Sequence, residues 1–460
     1  MFSSEWRLAL ECQALIAVVA VITATRMLRI PFRTALLAGL LFNSIPITRV
    51  PGYATPLFVH DCIVPLVALL MLVGRPTRAG GIFWLAAIAI FVWPAIGALV
   101  GVASGTQTST WITFLYRRFG FWVFFGVGVG MIPRRLRAQD FLDTCMVIWI
   151  GTATLGMLQF LGLIDVDFLA RDDALRGATI AESTAAQRGF MGLNRGAVGV
   201  WGSAVIAYCA SRLMLASRLG IARSVVYTMA VTLTAVVVLF SGSRTGTVAC
   251  AAAGGYVGLK VVSQLRRARL ARLILFGAVG AIAGQQLLAP GLTMVSQRVG
   301  TLKSFGTLQS LQSRLEVQGD TIRQVLRDGR SALLGMGADM ALFKRLVGKL
   351  SHPHSEYILA LWQTGVPGLL LYLLFLALLF SRMHARSRDD PDAIYLAGEA
   401  MLVAGMVAGL AVGNILTVAG RLAPFGMTML FVFGRLIRPT PSGDRPMQLP
   451  RAVSYSRYPY

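Results

Sequence analysis

Residues 357–380 read YILALWQTGVPGLLLYLLFLALLF, a run without one charged side chain. A helix needs about 20 apolar residues to cross the hydrocarbon core of a bilayer. This run meets that length, and the same ruler finds others on both sides. Toward the N-terminus, spans are expected near 8–25, 34–48, 56–73, 81–103, 111–132, 143–162, 196–213, 222–240, 245–262 and 272–289. Toward the C-terminus they are expected near 393–413 and 417–437. The total is about 12 or 13 by this ruler, because 34–48 is short and is interrupted by Asn43 and Pro46. Backbone groups in lipid must find their hydrogen bonds within the segment, so these spans are expected to be helices. The expected fold class is therefore all-α, a polytopic membrane protein with about 12 transmembrane helices.

Composition agrees. Of 460 residues, 56% are hydrophobic and 14% are charged, with a mean hydropathy of +0.67. Soluble chains carry about a quarter charged residues, which argues against a soluble enzyme. The charge that remains is lopsided, with 43 Lys and Arg against 20 Asp and Glu, a formal +23. In a soluble protein that excess would suggest nucleic acid. In a polytopic one it marks cytoplasmic loops, so no nucleic-acid partner is expected. The five cysteines (Cys12, Cys62, Cys145, Cys209, Cys250) sit in apolar surroundings without a C-x-x-C pair and read as packing residues. The N-terminal segment shows no A-x-A-like cleavage site after its apolar run and is expected to be the first span.

Orientation follows from the short basic loops. Those with Arg134, Arg135 and Arg137, with Arg212, Arg218 and Arg223, with Arg266, Arg267, Arg269 and Arg272, and with Arg382, Arg386 and Arg388 are expected in the cytoplasm. The segments 104–110, 163–195, 241–244 and 290–356 then fall outside. The last is by far the largest, an outer loop with nine basic and five acidic residues. Within it, Arg314 to Leu334 and Ala341 to Leu350 have amphipathic helical spacing, suited to helices that lie on the membrane face or cap a cavity there. Residues 1–438 are thus expected to form one membrane domain with this loop inserted, and 439–460 a disordered cytoplasmic tail rich in Pro, Ser, Arg and Tyr.

Several chemistries find no residues. There is no G-x-x-x-x-G-K-[ST], no H-E-x-x-H and no Cys/His zinc spacing, and Gly126, Gly128 and Gly130 lie inside a span as packing glycines. An ATP-driven pump and a zinc protease are therefore not expected. Three features on the outer side remain. Ser241-Gly242-Ser243-Arg244-Thr245-Gly246 is a tight turn of small residues that holds Arg244 at the membrane boundary, where a guanidinium fork suits phosphate oxygens. Arg298, Arg314, Arg323, Arg327 and Arg330 give the large loop a basic character that suits an anionic substrate such as a lipid diphosphate. In Ser351-His352-Pro353-His354-Ser355-Glu356-Tyr357, two of the chain's four histidines meet where the loop re-enters the membrane. A histidine there can accept a hydroxyl proton near its working pH.

The spacing around His354 resembles the signature of the O-antigen ligase family. That signature is His, then Asn, Ser or Gln, nine residues, then Gly-x-x-Gly. Here it runs His354, Ser355, nine residues from Glu356 to Thr364, and Gly365-Val366-Pro367-Gly368. The Ser-Gly-Ser-Arg-Thr-Gly turn, Arg314 followed by a helix and Leu334-Gly335-Met336-Gly337, and more loosely Arg188-Gly189-Phe190 with Asn194, also resemble that family. The resemblance covers mainly residues 185–370 and the layout of spans. It implies a GT-C-like membrane glycosyltransferase that needs neither metal nor nucleotide. Such enzymes transfer a glycan from undecaprenyl diphosphate to a sugar hydroxyl of lipid A–core at the periplasmic face of the inner membrane. Carried over by position, His354 would be the base, and Arg244 and Arg314 would bind the diphosphate. Arg323, Arg188, Ser243 and His352 are further candidates at the same face. The rival within this chemistry is an O-antigen or exopolysaccharide polymerase using the same donor. The rival of another class is a transporter or flippase for a lipid-linked sugar, which would be expected to carry charges at mid-membrane and repeated halves.

Overall fold

The structure is a computed structural model that describes residues 4–42, 46–48, 57–58, 62–66, 68–69, 81–103, 108–131, 137–160, 195–216, 219–241, 243–264, 305–337, 340–347, 353, 355–388, 390, 393–411 and 423–437. Among these, six helices are long and apolar enough to cross a membrane: Gly81–Leu99, Ala138–Leu158, Val198–Leu215, Ile221–Leu239, Thr245–Ser263 and Glu356–Ser387. Shorter apolar helices occur at Ala14–Met27, Phe32–Leu41, Ile394–Gly409 and Gly426–Ile437. The chain is an all-α, multi-pass membrane protein. The expected span at 272–289 lies outside the described residues, as does the tail 439–460.

In chain order, α1 is Ser4–Met27 and α2 Phe32–Leu41. A small antiparallel ribbon of β1 (Pro46–Thr48) and β2 (Leu57–Phe58) follows. The expected span 34–48 is therefore not one helix: it stops at Leu41, and Pro46, which lacks a backbone N–H, sits in an extended strand. Helix α3 (Gly81–Ala86) passes through a π-helical turn at Ala87–Val92 into α4 (Trp93–Ala103). Helix α5 (Thr108–Gly126) ends in a second π-helical turn, Val127–Met131. Then come α6 (Ala138–Phe160), α7 (Arg195–Leu215), α8 (Ile221–Ser241) and α9 (Arg244–Gln264). The loop contributes α10 (Phe305–Leu326), α11 (Gly329–Leu334) and α12 (Met340–Val347). Helices α13 (Glu356–Ser387), α14 (Ile394–Gly409) and α15 (Ala423–Ile437) complete the described fold.

Helix α7 is the hub, packing on α8, α9 and α14. Small residues set the closeness of these crossings, as they do where lipid leaves no hydrophobic drive between helices. A Cβ on Gly199 would lie 2.2 Å from the Cα of Gly246, so α7 and the start of α9 touch backbone to backbone. Gly128 plays the packing part expected of it, since a Cβ there would meet the Phe431 carbonyl at 2.2 Å. Trp149 and Trp201 stack at 6.0 Å, and the Trp149 indole donates to Thr234 Oγ1 at 2.8 Å.

Two buried polar clusters close one end of the bundle. Asp143 of α6 accepts from Tyr208 Oη of α7 at 2.6 Å, from Tyr227 Oη of α8, and from Arg223 Nε at 2.8 Å. Arg223 also reaches Asp140 at 3.3 Å. Glu399 of α14 takes the Tyr256 hydroxyl and lies 3.7 Å from Lys260 Nζ and 3.4 Å from His384 Nδ1. The ends of α7, α9 and α13 thus gather with the starts of α6, α8 and α14. By connectivity, the starts of α7, α9 and α13 and the end of α14 lie at the opposite end.

A second, smaller core forms at that opposite end. Val317 and Val325 of α10, Phe343 and Val347 of α12, and Leu361 and Trp362 of α13 bury one another, with the Phe343 and Trp362 rings edge to face at 4.9 Å. The loop helices are docked on the membrane bundle by this cluster.

Candidate functional site

The turn that carries Arg244 is built by serine caps. Ser243 is the N-cap of α9: its Oγ accepts from the Gly246 N–H at 3.0 Å, and its carbonyl accepts from the Thr247 N–H at 2.9 Å. Ser241 Oγ accepts from the Ser243 N–H at 3.2 Å and donates to the Val238 carbonyl at 2.8 Å, closing α8. The Ser243 hydroxyl is committed to this cap. Arg244 is the first residue of α9, where free N–H groups and the helix dipole favour an anion; its side chain lies outside the described residues.

Arg314 lies on α10, exposed. Its position on the helix follows from 100° per residue. Val317, Thr321 and Val325 are buried against the rest of the protein, and Arg314 continues that inward stripe by one further turn. Gln318, four residues on, donates from Nε2 to the Pro353 carbonyl at 3.3 Å. The helix that holds Arg314 is thereby tied to the residue immediately before His354. Arg323 lies nine residues from Arg314, on the opposite face. Its side chain is 78% exposed and bonds Asp320 at 2.6 Å. The structure does not bring Arg323 to Arg314.

His354, His352 and Arg188 lie outside the described residues, but the frame that presents His354 is described. Ser355 is extended and caps α13, buried, with its Oγ donating to the Gly409 carbonyl at 3.4 Å. Tyr357 Oη donates to the Met406 carbonyl at 2.8 Å. The start of α13 is therefore fastened to the end of α14. Glu356 is buried and accepts from Tyr372 Oη at 2.8 Å.

The Gly-x-x-Gly of the signature has a mechanical meaning. Helix α13 breaks at Gly365, whose φ of 68° is left-handed, and Pro367 removes a backbone donor beyond it. The carbonyls freed at the break find other partners. The Trp93 indole of α4 donates to the Thr364 carbonyl at 2.9 Å, and the Met336 N–H donates to the Trp362 carbonyl at 2.6 Å. Gly335, with φ 77°, meets the break directly, because a Cβ there would fall 2.5 Å from the Thr364 nitrogen. Asp328 caps α11 by accepting from Ser331 N and Oγ, both at 2.8 Å. Those two hydrogen bonds, the backbone one foremost, hold its carboxyl below the usual carboxylate range.

One residue of this region escapes the sequence reading. Arg118 of α5 is buried and donates from Nη2 to Gln363 Oε1 at 2.8 Å. The signal was available: Arg117-Arg118 interrupts an expected span, and charge inside a span is seldom idle. Among the described residues, no group of three His, Cys, Asp or Glu side chains could hold a metal ion.

The arrangement gathers at one end of the bundle the N-terminus of α9, the inward face of α10 and the start of α13. Arginines at such an end can balance charge on an anionic leaving group, and a histidine can accept a proton. No curated protein matches the chain. Residues 229–373 match the family model for O-antigen ligase, a range that runs from within α8 through the turn at Arg244, the loop helices, His354 and the break at Gly365. Over this segment, about a third of its length, the chain is similar to the O-antigen ligase family, whose members are membrane enzymes of the ligase and polymerase type.

Proposed function

We propose that the protein is an O-antigen ligase, transferring a glycan from undecaprenyl diphosphate to a sugar hydroxyl of a lipid A–core acceptor. The end of the bundle that carries the turn and the start of α13 faces the periplasm, in the inner membrane of a bacterium. Residues 1–438 form the membrane domain, and 439–460 a cytoplasmic tail. His354 takes the proton of the acceptor hydroxyl as the oxygen attacks the anomeric carbon of the donor sugar. The bond from that carbon to the diphosphate breaks, and Arg244 and Arg314 balance the charge that develops on the departing oxygens. Holding two lipid-anchored substrates in one place adds the advantage of proximity. No metal or nucleotide takes part.

The observation that carries this reading is the Gln318 to Pro353 hydrogen bond, which couples the Arg314 helix to the residue next to His354. Support also comes from the shared end of the bundle: a transporter would be expected to place its charged groups at mid-membrane on repeated halves. The test is a purified assay with lipid-linked glycan and lipid A–core, with chelator and without nucleotide. Glycosylated lipid A–core, lost in His354→Ala, is the expected product. Elongated lipid-linked glycan formed without the acceptor would reassign the protein as a polymerase. Full turnover by His354→Ala would remove the histidine from the chemistry.

A further inference from the structure

Helix α13 cannot set the direction of its own first turns. Gly365 leaves the helical region with φ 68°, so the segment 356–364 is not a rigid extension of 366–387. Its orientation comes from its contacts, and His354 precedes it by two residues. The Met336 N–H and the Trp93 indole hold the carbonyls of Trp362 and Thr364, and Leu361 and Trp362 pack in the small core. Ser355 and Tyr357 bond the end of α14. Glu356 accepts from Tyr372 Oη at 2.8 Å across the break, joining the two halves of α13. Gln363, seven residues and so two turns after Glu356, lies on the same face and accepts from Arg118 Nη2 at 2.8 Å.

Arg118 is an unusual choice for such a tie. It is only 3% exposed, and removing a guanidinium from water costs several kcal/mol unless charge and hydrogen bonds compensate. Its Nε has no hydrogen-bond partner among the described residues, and its guanidinium lies 4.9 Å over the Phe114 ring. The Glu356 carboxylate, buried in the same segment, is an opposite charge whose field favours the guanidinium. An apolar residue would fill this space at lower cost. A cation here makes sense if it holds the segment 356–364 through Gln363.

We propose that Arg118 is a positioning residue for the transfer reaction, holding the 356–364 segment through Gln363 and thereby helping to fix where His354 stands. This rests on the reading of His354 as the base. Arg118 touches neither substrate nor reacting atoms, so it acts on turnover and not on donor affinity.

The experiment uses the full-length protein in detergent or nanodiscs and compares Arg118→Met, Arg118→Lys, Gln363→Leu and the double variant Arg118→Met with Glu356→Gln. Misplacing a catalytic group by an ångström costs up to about a hundredfold, so Arg118→Met should lower kcat by about tenfold or more with the donor KM within about twofold. Amide exchange over 353–364 should accelerate in the same variant. Arg118→Lys should retain most turnover, and the double variant should recover part of the loss, because the buried side chain at 356 is then neutral. Gln363→Leu should lower kcat in the same direction, which keeps the test decisive if Arg118→Met does not fold. Wild-type kcat and unchanged exchange in folded Arg118→Met or Gln363→Leu would overturn the proposal. So would a raised donor KM at unchanged kcat, which would make Arg118 a substrate contact. If the wild-type protein transfers no glycan at all, the functional reading fails, while the exchange measurement still decides whether Arg118 holds the segment.

Discussion

Gly335 and Gly365 meet backbone to backbone. A Cβ on Gly335 would lie 2.7 Å from the Gly365 nitrogen, and a Cβ on Gly365 would lie 2.6 Å from the Ala332 carbonyl. Both residues have left-handed φ, 77° and 68°. The contact joins the end of α11 to the break in α13, so the loop helix and the His354-bearing segment share one mechanical joint.

Alanine at either glycine is expected to damage this joint. Positive φ with ψ near 180° is a region essentially reserved for glycine and costs about 1–3 kcal/mol for a residue with a Cβ, and the backbone contacts leave no room to relax. Gly335→Ala and Gly365→Ala should lower the melting temperature in detergent and depress transfer together. Gly254→Ala on α9 is the control. No atom lies within 4 Å of a Cβ there, and alanine is favoured over glycine in a helix by about 0.5–1 kcal/mol, so that variant should be neutral or slightly stabilised.

The two faces of α10 separate two arginines that look alike in sequence. Arg314→Ala is expected to reduce transfer by about a hundredfold, the scale of losing one preorganised group that stabilises transition-state charge, with little change in melting temperature because the side chain is exposed. Arg323→Ala should leave turnover within about twofold, since its exposed pair with Asp320 contributes well under 1 kcal/mol. Equal loss in both variants would mean that the whole loop surface, and not the inward face, meets the donor.

Much of this was legible before any coordinates. Hydropathy located the helices at 81–103, 143–162, 196–213, 222–240, 245–262 and 357–380, because a lipid solvent leaves so few ways to satisfy a backbone. The turn at 241–246 and the His354 spacing were readable because small residues and punctuating glycines act locally. What escaped depends on partners distant in sequence. Arg118 meets Gln363 across 245 positions, and no periodicity reports that. The Gly-x-x-Gly could be matched as a pattern, yet its left-handed break is intelligible only once Gly335 is seen to fill the space beside it. The two π-helical turns and the early end of α2 were hidden for a similar reason, since packing against neighbours decides whether a marginal turn stays helical.

Asp143 gives a stability prediction at the end of the bundle remote from the candidate site. It is fully buried and takes three donors from two other helices, Tyr208, Tyr227 and Arg223. Removing one partner of a buried charged pair costs about 3–5 kcal/mol, because the other is left uncompensated. Asp143→Ala should therefore lower the melting temperature markedly. Any protein that remains folded should keep its donor KM, which distinguishes a structural tie from a site residue.

Trp362 tests whether the loop is docked as a unit. It is fully buried between α10, α12 and α13, edge to face with Phe343, and its carbonyl takes the Met336 N–H. Trp to Ala substitutions in a packed core cost about 3–5 kcal/mol. The cluster is small and separate from the main core, so the penalty should fall on the loop and spare the membrane bundle. Limited proteolysis and amide exchange are expected to show 305–347 opening in Trp362→Ala, while protection of α6 to α9 stays as in the wild type. Transfer should fall as well, because the same loss frees Gln318 from Pro353 and separates Arg314 from the segment that precedes His354. If 305–347 stayed protected in that variant, the docking would reside in the glycine joint and the Trp93 contact rather than in the aromatic pair.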